Sequence, residues 1–303
     1  VKYILTALAI TSTLVATGCI KETASSQTTT PNTTTTAEAN HHEGHNMDGG
    51  KTSGTEHNSH GNHSADSTLK PANAIAKLTV PTKITPKIPV ELVIDIKDKE
   101  GKTIDNFDQF QEQLMHLIIV SDNLESFNHI HPIYKGKGRF TVKTDFPQAG
   151  GYTLFSDYKV AGKAEQVSIL KTQVSGASGN NTAKIDLATT KTFGNTQANL
   201  KLSQPTIKAG KNVHLIFNLL DTKSNQPLKD LQNYLGEKGH LVILKQSSSF
   251  TEADYIHAHA MKDTPEGEIH FMTSFPKPGK YKMWGQFNRN GKIITADFWV
   301  DVQ

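Results

Sequence analysis

From about residue 70 onward the apolar positions of the chain recur at period two. Ala76-Lys77-Leu78-Thr79-Val80 and Val90-Glu91-Leu92-Val93-Ile94-Asp95-Ile96 mix apolar and polar residues in this way, and residues 198–202 and 213–219 repeat the pattern. Alternation places one face of each segment against a core and the other toward solvent, which predicts half-buried β-strands. Lys99-Glu100-Gly101-Lys102 and Lys223-Ser224-Asn225-Gln226 supply the turn residues between them. No long segment carries helical periodicity. The prediction is an all-β chain.

The strand pattern occurs twice. His116 opens the run HLIIV, His129 and His131 follow as His-x-His, and the phrase FPQAGGY ends at Tyr152; His240 opens HLVIL, His257 and His259 form the second His-x-His, and FPKPGKY ends at Tyr281. The same order at nearly constant spacing is an internal duplication. Each copy has the length of a module of about 100 residues with seven or so strands, which suits two tandem immunoglobulin-like β-sandwiches. The boundaries expected are 71–176 and 182–303, parted by the run SGASGNN at 175–181, with residues 184–193 adding a small hairpin. In each Phe-Pro phrase a strand ends near Phe146 or Phe275, and Tyr152 or Tyr281 opens the next, its hydroxyl placed to bond back as a tyrosine corner. Phe155 and Trp284 are expected to cover the sandwich.

The first 70 residues are of another kind. Lys2 precedes an apolar stretch over residues 3–15 that is too short for a comfortable membrane span, and Ala16-Thr17-Gly18-Cys19 follows. This resembles a bacterial lipoprotein signal, with residues 1–18 as the leader and Cys19 as the lipidated residue, although Ala16 stands where Leu, Val or Ile is usual. The resemblance implies a lipid anchor on the extracytoplasmic face of the cell membrane. Residues 19–70 are Thr, Ser, Asn, Gly and His with almost no large apolar side chain, so they bury too little surface to offset the entropy of ordering and read as a disordered tether. At about 5–6 Å × √n such a tether reaches on the order of 40 Å. His41, His42, His45, His57, His60 and His63, with Glu43, Met47, Asp48 and Glu56 among them, make it a weak metal-capturing tail.

Composition removes some partners and chemistries. Lys and Arg number 32 against 29 Asp and Glu, scattered along the chain, and the arginines are Arg139 and Arg289. With no basic stripe or arginine fork, nucleic acid is not expected as a partner. Cys19 is the single cysteine, so no disulfide forms within the chain, and a blue-copper centre, which needs a cysteine beside its histidines, is excluded.

The duplicated histidines carry the candidate chemistry. Residues i and i+2 of a strand point to one face about 6.6 Å apart, so His129 and His131 project together, as do His257 and His259. A third imidazole at the start of a neighbouring strand, His116 or His240, would let three nitrogens approach one ion at about 2.0–2.1 Å. Asp157 aligns with Gln286, and either would complete such a site or orient one of its histidines. Neutral imidazole suits copper or zinc, and Met115, Met261 and Met272 nearby keep Cu(I) open. Protons compete for free histidine near pH 6.5, so affinity is expected to fall through that region. His270 has no counterpart in the first copy, and His214 is expected to be exposed and idle.

Taken together, the His-Leu-Ile or His-Leu-Val strand, the His-x-His pair and Phe-Pro-x-x-Gly-x-Tyr resemble a loosely characterised group of secreted bacterial proteins with tandem β-sandwich modules, over about residues 72–303. Pro132 follows the first pair as that pattern expects, whereas Ala260 follows the second. The resemblance implies envelope heavy-metal-associated factors without a general enzymatic role. The function expected is a membrane-anchored protein that captures or buffers a transition metal, copper or zinc, and passes it to a membrane metal transporter. The alternatives are a metal-independent adhesion or envelope-assembly module and a His-ligated zinc hydrolase. No general base or nucleophile constellation is evident, so no catalytic residue is assigned, and duplication suits capacity better than catalysis.

Overall fold

A computed structural model of the chain describes residues 69–177 and 183–303. The apolar leader, Cys19, the tether and its histidines lie outside the described residues.

The first module contains β1 (Ile75–Thr79), β2 (Val90–Lys97), β3 (Phe107–Asp108), β4 (Met115–Ser121), β5 (Phe127–Ile130), β6 (Ile133–Tyr134), β7 (Arg139–Thr144), β8 (Gly150–Val160) and β9 (Glu165–Val174). The second contains β10 (Thr190–Phe193), β11 (Thr196–Leu202), β12 (Asn212–Asp221), β13 (Leu231–Gln232), β14 (His240–Lys245), β15 (Tyr255–His259), β16 (Glu268–Ser274), β17 (Gly279–Arg289) and β18 (Lys292–Val302). In the first, a sheet ordered β1-β2-β7-β6 lies over a sheet in which β8 pairs with β3, β4 and β9, and β4 with β5. This is the two-sheet division of the immunoglobulin fold. The second repeats it with β10-β11-β12-β16 over β15-β14-β17-β18, with β13 on β17. Of the segment at 184–193, the last four residues form β10, the edge strand beside β11.

Period two explains the outer sheets. Leu92, Ile94 and Ile96 of β2 and Val213, Leu215, Phe217 and Leu219 of β12 are fully buried, while the intervening residues are only partly so. At the corners Tyr152 Oη donates to Gln148 O at 3.0 Å and Tyr281 Oη donates to Lys277 O at 2.7 Å. Each ring lies edge-on to the Phe of its phrase, at 4.8 and 4.9 Å. These are the tyrosine corners that the two phrases predict.

The inner sheets are different. Every residue of β4 is buried, because both faces of the strand are covered. Met115, Leu117 and Ile119 enter the core of their own module, while Ile118 and Val120 join a third apolar cluster built from both modules. In β14, Leu241 and Ile243 enter the module's own core, and Val242 and Leu244 join the shared cluster. A strand covered on both faces reads as a continuous apolar run, as HLIIV and HLVIL do.

The shared cluster pairs equivalent positions crosswise. Phe127 of β5 stacks on Trp284 of β17 at 4.7 Å and 11°, and Tyr255 of β15 stacks on Phe155 of β8 at 4.8 Å and 11°. Phe155 and Trp284 therefore do not cover their own sandwiches. Tyr152, Leu154 and Tyr158 already occupy the core face of β8, so the alternate residues face the other module. Lys282 Nζ donates to Leu124 O at 2.9 Å across the same junction, pairs with Asp297 at 3.2 Å and lies over the rings of Trp284 and Trp299.

Candidate metal centre

The face that packs module on module also carries the histidines. Strand parity puts His129 on the face of Phe127, with His131 just beyond the end of β5, and it puts His257 and His259 on the face of Tyr255. β4 and β5 pair antiparallel with Leu117 opposite Ile130, and β14 and β15 pair with His240 opposite His259. His116 and His240 thus stand beside the two His-x-His pairs. Each triad, His116/His129/His131 and His240/His257/His259, offers one nitrogen per ring, and within each these nitrogens lie within 4.8 Å of one another. Six histidines single out the same two groups in sequence and in space.

The outward nitrogens are already occupied. His116 Nε2 lies 3.2 Å from Phe110 O and His240 Nε2 lies 2.8 Å from Tyr234 O, so each ring donates there and turns Nδ1 toward its triad. His116 Nδ1 is 3.1 Å from His129 Nε2, and His240 Nδ1 is 3.5 Å from His257 Nε2. A contact that short between two neutral nitrogens is one that a bound ion would occupy from both sides. His131 Nε2 is buried without a hydrogen-bond partner. Such a group costs about 1–3 kcal/mol, which coordination of that nitrogen would relieve.

The remaining outward contacts cross between modules. His129 Nδ1 donates to Gln286 Oε1 at 2.7 Å, and His257 Nδ1 lies 3.3 Å from Asp157 Oδ2. Asp157 and Gln286 occupy equivalent places on β8 and β17, opposite His116 and His240 in register. Each sits behind a histidine of the other module, not among the rings of its own triad. Gln111 makes a third crossing, with Nε2 at 3.2 Å from His259 Nδ1 and Oε1 buried without a partner. With the amide turned over, Oε1 would accept the proton of His259 Nδ1.

Phe110, Tyr234 and Gln111 are absent from the set drawn from the sequence. Phe110 and Tyr234 act through backbone carbonyls, which residue type does not reveal. Each opens a two-residue turn whose central residues have positive φ, Gln111 and Glu112 at 48° and 64°, Leu235 and Gly236 at 54° and 82°. The legible signal is an aromatic residue at the same distance before the first histidine in both copies.

Burial decides the charge state. It holds His116 at about 3 and His131 and His240 at about 4, and it holds His129 and His257 well below the usual 6.5. Neighbouring imidazoles add to the effect at His116, His129 and His257, because a charge on one ring opposes a charge on the next. These five rings are therefore neutral, the form that binds a metal. Burial, with the nearby Glu165, pushes the Asp157 carboxyl well above its ordinary range. An ion on His257 would draw Asp157 back toward the carboxylate, as in a carboxylate–histidine–metal chain.

The other candidates lie elsewhere. His214 is half-buried on β12, opposite Met272, and His270 on β16 pairs with Glu268 at 2.7 Å, both in the outer sheet. Met115 belongs to the first core, where Ser156 Oγ donates to its sulfur. The crossed contacts lead to one expected result here. Gln286→Ala should weaken the triad of the opposite module, His116/His129/His131, by about 10–100-fold in a chelator-competition titration. Unchanged affinity there would mean that Gln286 does not hold His129 for an ion.

Among curated proteins no relative matches the chain. Among solved structures it is similar to invasin, a bacterial integrin-binding protein, at 13% identity over 74% of this chain and 39% of that one, with a TM-score of 0.22. It is also similar to trypsin-activated alpha-2-macroglobulin from Escherichia coli (11% identity, 77% and 16%, TM-score 0.26) and to the adhesin InvE of Yersinia pseudotuberculosis (10% identity, 74% and 58%, TM-score 0.22). The chain spans less than two thirds of each of these proteins. One family matches along most of its length, over residues 73–175 and 191–303, one stretch in each sandwich. The chain thus belongs to the family described as Domain of unknown function (DUF8832).

Proposed function

We propose that this chain binds a transition metal, copper or zinc, at its two histidine triads, and works as a lipid-anchored extracytoplasmic protein that captures or buffers the ion and passes it to a membrane transporter. The observation that carries the reading is the pairing of roles on individual rings. In His116, His129, His240 and His257, two rings of each triad, one nitrogen converges with those of its neighbours while the other is tied to a carbonyl, amide or carboxyl, the support that metal-ligating histidines receive. A purely structural buried histidine needs its two nitrogens satisfied and has no reason to gather two more rings around the second.

Three neutral imidazoles leave a fourth position for water or a transfer ligand, which suits release as well as capture. The tail histidines would raise the local ion concentration beside these tighter sites. Elemental analysis of the purified chain after growth in mixed trace metals should find copper or zinc retained through a chelating resin. The paired change His129→Ala and His131→Ala should remove one ion per chain and leave the sheet signal in circular dichroism intact. A chain that retains no metal and takes up neither added Cu(II) nor Zn(II) would overturn the reading.

A further inference from the structure

The rings of the two triads approach one another almost as closely as rings within a triad. His116 and His257 have centroids 5.5 Å apart, His129 and His257 5.7 Å, His129 and His240 6.2 Å, and His116 and His240 stack at 6.5 Å and 24°. Within the triads the centroid separations run from 4.9 Å for His116 and His131 to 5.7 Å for His240 and His257. No strand, side chain or layer of solvent has room to divide the two groups. The four inner rings form one continuous packing of imidazoles on the junction between modules.

We infer that the six imidazoles form a single dinuclear centre, in which two ions occupy the junction together and each is held by histidines of one module oriented by side chains of the other. The inference rests on the metal-binding reading above. An ion lies about 2.0–2.1 Å from a ligand nitrogen, hence about 3.2 Å from the ring centroid, so ions on His116 and His257 are at most about 12 Å apart. The reciprocal contacts, His129 with Gln286 and His257 with Asp157, couple the halves further. Neither triad has its full support until both modules are docked. Two dications in one buried cluster also repel, which favours unequal filling over two independent equal sites.

Cu(II) is the probe that separates these arrangements, because two nearby spins broaden each other. The full chain would be loaded with one and then two equivalents of Cu(II), freed of weakly held copper on a chelating resin, and measured by electron paramagnetic resonance. One equivalent should give a mononuclear spectrum of full spin. Two should give a dipolar-broadened spectrum with a half-field transition, or integrate to fewer than two spins per chain. His116→Ala should retain one ion and show no broadening at saturation. If that variant loses its sheet signal, His131→Ala, at the least buried ring of the first triad, takes its place with the same expectation.

Two retained ions with unbroadened spectra that sum to two spins would overturn the dinuclear centre and leave two separate metal sites. A single retained ion in the unaltered chain would overturn it as well, since the six rings would then serve one ion. No retained copper at all would bring down the metal-binding reading itself.

Discussion

Trp284→Ala should lower the stability of the folded chain by about 3–5 kcal/mol and weaken metal binding at both triads. The magnitude follows from a large, fully packed side chain being replaced by a methyl group with little room for the surroundings to close in. Trp284 is 3% exposed, stacks on Phe127 of the other module, and lies under the ammonium group of Lys282. Stacked aromatic pairs add about 0.5–1.5 kcal/mol beyond the area they bury. Because Phe127 leads directly into His129, a loosened stack displaces a ring of the first triad, while Gln286, two residues from Trp284, carries the support of the same histidine. The second triad suffers through the docking itself. Denaturant unfolding and a metal titration on the same variant distinguish the outcomes. A loss confined to the second module, with the first triad binding as before, would mean that Trp284 serves its own sandwich and that the junction is held by other groups.

The metal-free chain should lose stability steeply as pH falls from about 6.5 toward 4. Histidine in the unfolded chain titrates near 6.5. In the folded chain His116 titrates at about 3, and His131 and His240 at about 4, with His129 and His257 also well below the usual value. Between those limits the unfolded state binds protons that the folded state refuses, so the slope of stability with pH is positive and the fold weakens on acidification. A ring shifted from 6.5 to about 4 contributes on the order of 3 kcal/mol by the end of that window. Asp157 acts in the opposite sense, since its raised carboxyl takes up a proton on folding. It is one group against five. Several such rings rival the whole stability of a domain, about 5–15 kcal/mol, so the junction should open well above pH 4.

A bound metal changes that curve. An ion present at 100 times its dissociation constant stabilises the fold by about 2.7 kcal/mol per site, which moves the acid transition to lower pH. Proton competition near 6.5, expected for free histidine, does not apply to rings that are already neutral in the folded state. Affinity should therefore stay nearly level from pH 7.5 to about 5 and then collapse together with the tertiary structure. Tryptophan fluorescence and retained Zn(II), followed along one pH series, test this. Metal loss centred near 6.5 with the fold intact would show that the rings are open to solvent and that the modules do not cover them.

Much of the site was legible because parity in a strand is a local property. His-x-His puts two rings on one face whatever lies opposite, and duplication marked His116 and His240 as their companions. The corner tyrosines were equally plain, since Phe-Pro-x-x-Gly-x-Tyr encodes a turn and the strand after it. The same reasoning misplaced Phe155 and Trp284. Alternation says that a residue faces away from its own core, but it cannot name what covers it.

By itself, then, the amino-acid sequence determined two sandwiches, the strands that make them and the two histidine groups, because each follows from periodicity and turn chemistry within some tens of residues. Tertiary structure alone decided that the histidine faces meet, that Gln286 supports His129 and Asp157 supports His257, and that burial holds the imidazoles neutral. The reason is physical. The apolar runs HLIIV and HLVIL require a cover on both faces, and any apolar surface satisfies that requirement equally. Only the docking of one copy on the other, through crosswise stacks between residues far apart in the chain, selects the cover and so brings the two histidine groups together.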